Sequence, residues 1–371
     1  MSYYFDYNAT HPPFKEILLN CTEHYLKDFY NPSGPTRYSL SKQGLIENAR
    51  TYFSKITNQS KEQIVFSSTG TEANFLLVAG LSDYLKKFKK VFISPFEHSS
   101  FYGALDFFKI PYTLLLTDKT GLVNLNYLEE ELKKEPAPLF LIHTSNETGV
   151  IQPIKEAKQI LSKYELPIFS DLMQGFAKVG IDFSLFNGFT FSGHKIGAGM
   201  GAALTYLDKN LMNSGYQIFK GGNQENDHRA GTENTIAIEA FQLAAQLQLD
   251  NLEEKNKRLL NYRNQIESFL KNLDIEIISE NSNRLPSTSF ILLPIDDIDF
   301  FMISLEEKGI IISNGSSCKS RSREASFSLL KMGYSNEEAL RAIRISTGYF
   351  TNDYEVEKLL DEMKNTLSKL L

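Results

Sequence analysis

A lysine and an aspartate in the middle of the chain could do chemistry: a lysine can bind a carbonyl group, and an aspartate can balance a cation. Lys195 lies in the segment SGHK, between the apolar run FTF and the glycine-rich run IGAGMGAA, and Asp171 follows the apolar run PIFS. A lysine at the end of a buried strand is costly unless it faces a cleft, is paired or is chemically used. Each residue alone is also typical of an ordinary surface position. Their order on successive predicted strands favours a shared ligand site.

Small hydroxyl residues and a glycine form a third candidate element at residues 67–72. The segment SSTGTE lies between the predicted strand IVF and the predicted helix ANFLLVAGLSDYL. The N–H groups, hydroxyls and dipole at a helix N-terminus bind phosphate, although the same residues also make an ordinary helix cap. An amine for an aldehyde, a carboxylate for a pyridine nitrogen and a phosphate cradle are the parts that pyridoxal 5′-phosphate (PLP) requires. Together these elements favour PLP as the cofactor, although a single phosphate cradle is common to many cofactors.

Of the two cysteines, Cys318 is the candidate reagent. It lies in SNGSSCKSRSRE, a small, polar, glycine-containing stretch that is typical of a loop, with Lys319, Arg321 and Arg323 close by. Nearby positive charge favours the thiolate, which is the form that attacks sulfur. An incidental exposed thiol is the other interpretation. Cys21 lies in the helical pattern FKEILLNCTEHYL and is predicted to serve packing.

Short apolar runs alternate with helix-like segments from about residue 60 to 207, which indicates a mostly parallel sheet covered by helices. The predicted strands are short, apolar and bounded by turn or charged residues, as expected for burial on both faces. They are 64–66, 91–93, 112–116, 139–143, 167–170, 189–191 and 202–206. The predicted fold class is therefore α/β, with a mostly parallel seven-stranded sheet in a large domain.

A smaller α+β domain is predicted from the change of pattern after Thr232. A long helical stretch at about 233–270 precedes the strand-like runs IEIIS, STSFILL, GIIIS and AIRIS, and an amphipathic helix begins at about 352. We predict a large PLP-binding domain at 14–250. The small domain would combine 1–13 with 251–371 and carry the Cys318 loop.

Composition and charge limit the classes of protein. The 371 residues carry a net charge of -6, which argues against nucleic-acid binding. No apolar run approaches the roughly 20 residues that span a bilayer, and the start MSYYFDYN is unlike a signal peptide. We therefore expect a cytoplasmic protein with neither nucleic-acid nor membrane partners. Two cysteines predict neither a disulfide framework nor a zinc cluster.

Ordered motifs run nearly from end to end of the chain. They are YFDYNAT, NPSG, IVFSSTGTEAN, PFEHSS, HTSNETGVIQPI, SDLMQG, FSGHK, GGNQENDHRAGTEN, NGSSC and AIRISTGYFT. Through these motifs the chain resembles the class V aminotransferase-like PLP enzymes, and within them the NifS/IscS-type cysteine desulfurases. The resemblance implies the fold type I PLP-dependent transferase architecture, a homodimer and L-cysteine as the substrate.

The resemblance also implies which residues hold the cofactor. Lys195 resembles the lysine that binds the aldehyde, and Asp171 the carboxylate that pairs with the pyridine nitrogen. Gln174 resembles a glutamine that hydrogen-bonds the phenolic oxygen. His98 resembles the histidine stacked on the ring, with an exposed or core histidine as the alternative interpretation. Contacts to the phosphate are implied for Gly70, Thr71, Ser192 and His194.

The remaining implied residues contact the substrate or the second subunit. Thr232 resembles a residue that reaches the phosphate bound by the neighbouring subunit. Asn146 resembles an asparagine near the ring and substrate, and Arg344 resembles the arginine that binds the substrate carboxylate through a two-donor fork. Cys318 would take up sulfur as a persulfide and leave L-alanine, with Lys195 and His98 carrying protons. The persulfide would pass to a protein acceptor, such as an iron–sulfur scaffold or a thiolation carrier.

Some motifs depart from the family pattern. The segment ENDHRAG stands for ERGxRSG, so Asn226 and Asp227 replace an arginine and a glycine, and Gly348-Tyr349 stands for GR. No assigned catalytic group is lost. The alternatives that stay open are a class V aminotransferase or lyase for another amino acid, selenocysteine included, and an inactive scaffold that binds sulfur-assembly proteins.

Overall fold

The structure, a computed structural model, describes residues 2–213, 219–314 and 324–370. Its strands are β1 Tyr3–Tyr4, β2 Ile64–Ser67, β3 Val91–Ile93, β4 Tyr112–Leu114, β5 Leu139–Phe140, β6 Ile168–Asp171, β7 Gly188–Ser192, β8 Ala203–Leu207, β9 Glu276–Ile277, β10 Thr288–Leu292, β11 Ile310–Ile311 and β12 Ala342–Ser346. Its α-helices are α1 Lys15–Lys27, α2 Arg37–Thr57, α3 Gly70–Leu85, α4 Ser99–Phe107, α5 Leu125–Lys134, α6 Ile154–Ser162, α7 Thr235–Asp250, α8 Leu252–Lys271, α9 Ile298–Glu306, α10 Phe327–Lys331, α11 Asn336–Leu340 and α12 Asp353–Leu370.

Seven strands form one sheet in the order β2–β8–β7–β6–β5–β3–β4. The pairs from β4 to β7 are parallel, whereas β8 is antiparallel to both β7 and β2. The seven strands are the seven that the sequence predicts. The predicted fold class, α/β with a mostly parallel seven-stranded sheet, is therefore confirmed.

The carboxyl ends of three strands of this sheet meet at one edge. Asp171 ends β6 and pairs with Thr190 of β7, which ends at Ser192 directly before the turn Gly193–Lys195. β2 is antiparallel to β8 and so has the direction of β7; it ends at Ser67, just before α3 begins. Open α/β sheets bind ligands at this edge. The fold thus gathers residues that are far apart in the chain.

Buried phenylalanines join this sheet to the helices on one of its faces. Phe176 stacks on Phe191 of β7 at 3.9 Å between ring centroids, and Phe53 of α2 lies 4.7 Å from Phe241 of α7. Each of these rings is almost fully buried. Burying one such side chain contributes about 2 kcal/mol to folding. This aromatic cluster supports the strand ends that carry the site.

The smaller β-structure consists of two separate sheets. β10 pairs antiparallel with both β12 and β9, and β11 pairs parallel with β1 at the start of the chain. The helical stretch predicted at 233–270 is two helices rather than one. They meet at Asn251, whose side-chain amide donates to the Leu247 carbonyl at 2.8 Å and ends α7. None of the described helices is long and apolar enough to cross a bilayer.

Candidate active site

A cavity of about 390 Å³ lies at the edge where β2, β6 and β7 end. Its wall combines the loop before α3, the end of β6, the turn after β7 and the segment that follows β1. The predicted residues in this wall are Gly70, Thr71, His98, Asn146, Asp171, Gln174, Ser192, His194 and Lys195. Among the predicted site residues that the structure describes, all except Thr232 and Arg344 thus lie together in this wall.

The start of α3 is capped by its own side chains. Thr69 is the N-cap, and its hydroxyl accepts a hydrogen bond from the Glu72 N–H at 3.1 Å. The Glu72 carboxylate accepts one from the Ser68 N–H and is held by Arg229 at 2.8 Å. A Cβ at Gly70 would lie 2.8 Å from the Met173 Cε, so glycine keeps the cradle open on this side. The first-turn N–H groups have no backbone partner within the helix; Thr69 caps that of Glu72, and those of Gly70 and Thr71 suit an anion.

Asp171 is a buried carboxylate in the cavity wall. Its Oδ1 accepts from the Met173 N–H at 2.8 Å and its Oδ2 from the Asn74 side-chain amide at 3.1 Å. Burial raises the pKa of Asp171, although these two donors and the charges of His98 and Lys195 oppose that effect. Among the residues that the structure describes, Asp171 forms no salt bridge within 4 Å. A cation bound in the cavity would stabilise its ionised form.

Lys195 and Gln174 meet at the backbone of the N-terminal segment. The Lys195 Nζ donates to the carbonyl oxygens of Asn8 and Ala9, both at 2.7 Å. The Gln174 Nε2 donates to the same Asn8 oxygen at 2.7 Å. The Lys178 Nζ donates to the Gln174 Oε1 at 2.6 Å, although burial and the nearby cations lower the pKa of this lysine well below its usual value. Lys178 therefore sets the orientation of this amide, which directs its NH₂ towards Asn8.

The side chain of His194 is also held at this edge. Its Nδ1 lies 3.2 Å from the Thr10 hydroxyl. Burial lowers the pKa of His194 to about 4, and the nearby lysines Lys195 and Lys178 add to this effect. His194 is therefore neutral at pH 7 and can offer an N–H without carrying a charge.

Arg344 and Thr232 lie outside the cavity wall. Arg344 is fully buried; it forms an ion pair with Asp6 at 2.7 Å and donates to the Asn146 carbonyl at 2.9 Å. Its Nε has no hydrogen-bond partner among the described residues. Thr232 is exposed and lines a separate small cavity with Glu225. Arg344 thus adjoins Asn146 of the cavity wall, and Thr232 lines a small cavity that shares Ser68 and Gly201 with the main one.

Cys318 lies outside the described residues, but the chain on both sides of it is described. Before it, Ser313 exchanges two backbone hydrogen bonds with Arg344. After it, the hydroxyls of Ser326 and Ser328 both donate to the Glu147 carboxylate, the latter at 3.2 Å. The segment that carries Cys318 therefore starts and ends beside residues that adjoin the cavity.

Several groups in the site were missed by sequence reasoning. Asn8 supplies the carbonyl shared by Lys195 and Gln174, and Asn74 binds the Asp171 carboxylate. The available signals were their places in the motifs YNAT and GTEAN. Cys21 is buried, as predicted, and burial raises the pKa of its thiol to about 12. No group of three or more metal-ligating residues occurs in the described ranges.

Known proteins share this architecture over almost the whole chain. The chain is 29% identical to the cysteine desulfurase IscS of Dictyoglomus turgidum, covering 99% of this chain and 95% of that protein. It is 28% identical to cysteine desulfurase IscS 1 of Archaeoglobus fulgidus, covering 99% and 97%. The X-ray structure of a NifS-like protein from Rickettsia africae superposes with a TM-score of 0.89 at 30% identity, covering 99% of this chain and 100% of that chain. The aminotransferase class-V family model matches residues 3–359, and the chain therefore belongs to the aminotransferase class-V family.

Proposed function

We propose that this protein is a PLP-dependent cysteine desulfurase, which converts L-cysteine to L-alanine and holds the released sulfur as a persulfide on Cys318. The observation that carries the proposal is the cavity in which Lys195, the buried Asp171 carboxylate and the start of α3 converge. The cysteine desulfurases to which the chain is similar match it over 99% of its length.

PLP is the cofactor of this family, and the residues in the cavity fit it. Lys195 would hold the aldehyde, Asp171 the protonated pyridine nitrogen, and the NH₂ of Gln174 the phenolic oxygen. The phosphate would be held by groups at the start of α3 and after β7, namely Gly70, Thr71, Ser192 and His194. When bound, PLP supplies an electron sink for negative charge at the substrate Cα. The Asp171 carboxylate, which forms no salt bridge within the described part of the chain, is the strongest sign of this fit.

Arg344 and Asn146 would receive the substrate. The Arg344 guanidinium is ion-paired with Asp6 and keeps one nitrogen, Nε, without a hydrogen-bond partner among the described residues. The substrate carboxylate would share this guanidinium with Asp6. A small shift of Asn146, whose carbonyl accepts from Arg344, would open the path from the cavity to the arginine. The Lys195 amine would move the α-proton.

Cys318 would act as the nucleophile towards the substrate sulfur. The thiolate forms an S–S bond to that sulfur while the C–S bond of cysteine breaks. The electron pair of the C–S bond stays with Cβ, which takes up a proton and becomes the methyl group of alanine. The hydrogen bonds of Ser313 to Arg344 and of Ser326 to Glu147 support this role, because they hold the ends of the Cys318 segment near the substrate.

The protein is further proposed to be a cytoplasmic homodimer that passes its persulfide to an acceptor protein, for example one that serves iron–sulfur cluster assembly or thiolation. Exposed apolar side chains support dimerisation, because clustered apolar surface is typical of protein–protein contacts. They are Leu26, Phe29, Tyr30, Tyr38 and Leu40, of which the three aromatic rings stack on one another. The exposed Thr232 would then face the partner's phosphate. Light scattering at micromolar concentration tests the dimer.

The two-domain division is also retained as a proposal, with residues 14–250 in the large domain and 1–13 with 251–371 in the small one. An apolar cluster separate from the sheet's core joins Phe5 to side chains from α8, α9 and α12, which supports this division. Limited proteolysis, followed by mass spectrometry of the fragments, tests the boundaries.

The test of sulfur transfer compares the two cysteines of the chain. Purified protein loaded with PLP is incubated with L-cysteine; alanine is quantified, and persulfide is mapped by mass spectrometry. Cys318→Ser should abolish alanine formation, whereas Cys21→Ser should not, because Cys21 is a buried packing residue. Normal turnover by Cys318→Ser would refute the proposed desulfurase. Formation of keto acids from other amino acids, without alanine formation from cysteine, would refute it as well.

The test of the cofactor lysine is spectroscopic. Lys195→Ala should lose the visible absorbance band of lysine-bound PLP, while Lys163→Ala, at an exposed lysine paired with Glu129, should keep it. A normal band in Lys195→Ala would place the cofactor lysine elsewhere.

A further inference from the structure

A buried chain of hydrogen bonds connects Asp171 to His98. The Thr190 hydroxyl lies 2.5 Å from the Asn74 Oδ1, and the Asn74 Nδ2 lies 3.1 Å from Asp171 and 2.9 Å from the Ser100 hydroxyl. The Ser100 Oγ in turn lies 2.7 Å from the His98 Nδ1. Apart from His98, each residue in this series of hydrogen bonds is at most 6% exposed. Solvent therefore competes little with these bonds.

When Asp171 is ionised, the available donors and acceptors set the direction of each bond. An ionised Asp171 can only accept, so the Asn74 NH₂ faces it and the Asn74 oxygen accepts from Thr190. The same NH₂ donates to the Ser100 oxygen, which leaves the Ser100 proton for the His98 Nδ1. The Ser100 backbone N–H, at the start of α4, also donates to this nitrogen at 3.2 Å. Two donors therefore converge on one ring nitrogen.

We propose that Asn74 and Ser100 are positioning residues that hold His98 as the neutral tautomer protonated on Nε2. A nitrogen that accepts two hydrogen bonds carries no proton of its own, so the ring proton lies on Nε2. His98 lines the cavity. It therefore meets a ligand there as a hydrogen-bond donor through Nε2, while Nδ1 is held by α4.

The consequence for the reaction rests on the proposed function. In a desulfurase, proton exchange between His98 and the substrate would take place at Nε2. One shared amide, that of Asn74, would orient both Asp171, which would pair with the cofactor, and His98, which would stack on it. Both orientations would then depend on Asn74, a residue outside the set that the sequence predicts.

The tautomer is measured directly by nitrogen-15 NMR of labelled histidine side chains in the full-length protein, without cofactor and with PLP. The chain has six histidines, and the His98 signals are those lost in His98→Gln. Nδ1 should show the shift of an unprotonated nitrogen and Nε2 that of a protonated one. The opposite pattern in the wild type would overturn the proposal without any reliance on a folded variant.

Ser100→Ala removes one of the two donors and should raise the ratio of the Nδ1-protonated to the Nε2-protonated form about fivefold, the usual effect of one hydrogen bond. Ser99→Ala is the matched control, because Ser99 is the exposed neighbour in the same helix turn. Equal ratios in the two variants would refute the role of Ser100. Absence of alanine formation from cysteine, with the predicted tautomer present, would refute the desulfurase and leave this inference intact.

Discussion

The anchor of the Cys318 segment can be tested at Glu147. This carboxylate accepts hydrogen bonds from Ser326 and Ser328, which lie at the start of α10. Ser326 also caps α10 through the Leu329 N–H. The substitution Glu147→Ala removes the acceptor of both hydroxyls at once. We expect α10 to detach more readily and Cys318 to be presented less effectively to the cavity.

The magnitude follows from the number and kind of bonds lost. Each hydrogen bond to a charged group contributes roughly 1.5–3 kcal/mol, so the two together set an upper range of about 3–6 kcal/mol. Burial raises the pKa of Glu147, and the two serines and Arg344 only partly offset this effect, so the charged form carries a burial cost. Because the raised pKa makes the carboxyl less fully charged, the ordinary net value of about 1 kcal/mol per hydrogen bond applies, and the two bonds together give a loss of about 2 kcal/mol. This corresponds to an increase of about 30-fold in local opening.

Hydrogen exchange followed by mass spectrometry reports this opening in peptides that cover α10. Glu147→Ala should exchange about 30-fold faster there, and alanine formation should slow while the visible PLP band remains unchanged. Glu156→Ala, at an exposed glutamate of α6, is the control and should match the wild type. Wild-type exchange of α10 in Glu147→Ala would show that this carboxylate does not anchor the segment.

Three further outcomes are expected. Glu225→Gln breaks a buried ion pair with Arg50, with N–O distances of 2.9 Å, and should reduce the free energy of unfolding in urea by about 3–5 kcal/mol. Glu47, the exposed partner of Arg50, provides the control: Glu47→Gln should reduce the free energy of unfolding by under about 1 kcal/mol. Equal losses of stability in the two variants would contradict a special role for the buried pair. Lys178→Met removes the donor that orients Gln174 and should weaken PLP binding about fivefold in a fluorescence titration; unchanged affinity would exclude that role. Burial lowers the pKa of His11, His143 and His194 to about 4. As the pH falls, these side chains therefore take up protons in the unfolded chain before they do so in the folded protein. The free energy of unfolding should therefore fall between about pH 6.5 and 4, by at most about 3 kcal/mol per residue. Equal urea midpoints at pH 7 and 5 would contradict a role for His11, His143 and His194.

Much of the fold and of the cavity wall could be predicted because the signals are local. Short apolar runs between helical segments identify the seven strands, and Asp171 and Lys195 follow two of them at the same edge. The break at Asn251 could not be predicted from periodicity, because apolar residues continue with helical spacing on both sides of it. At the break, the Asn251 side-chain amide binds the Leu247 carbonyl, a contact that the spacing of apolar residues does not reveal.

By itself, the sequence predicted the chemical groups: a lysine, a carboxylate and a phosphate cradle at strand ends, and a cysteine in a polar stretch. Only the tertiary structure decided how these groups are held. It paired Arg344 with Asp6 and placed the Asn8 carbonyl between Lys195 and Gln174. It also linked Asp171 to His98 through Asn74 and Ser100. The physical reason is that a motif records which residues are neighbours in the chain, whereas a hydrogen bond depends on direction and distance between groups that the folded sheet brings together.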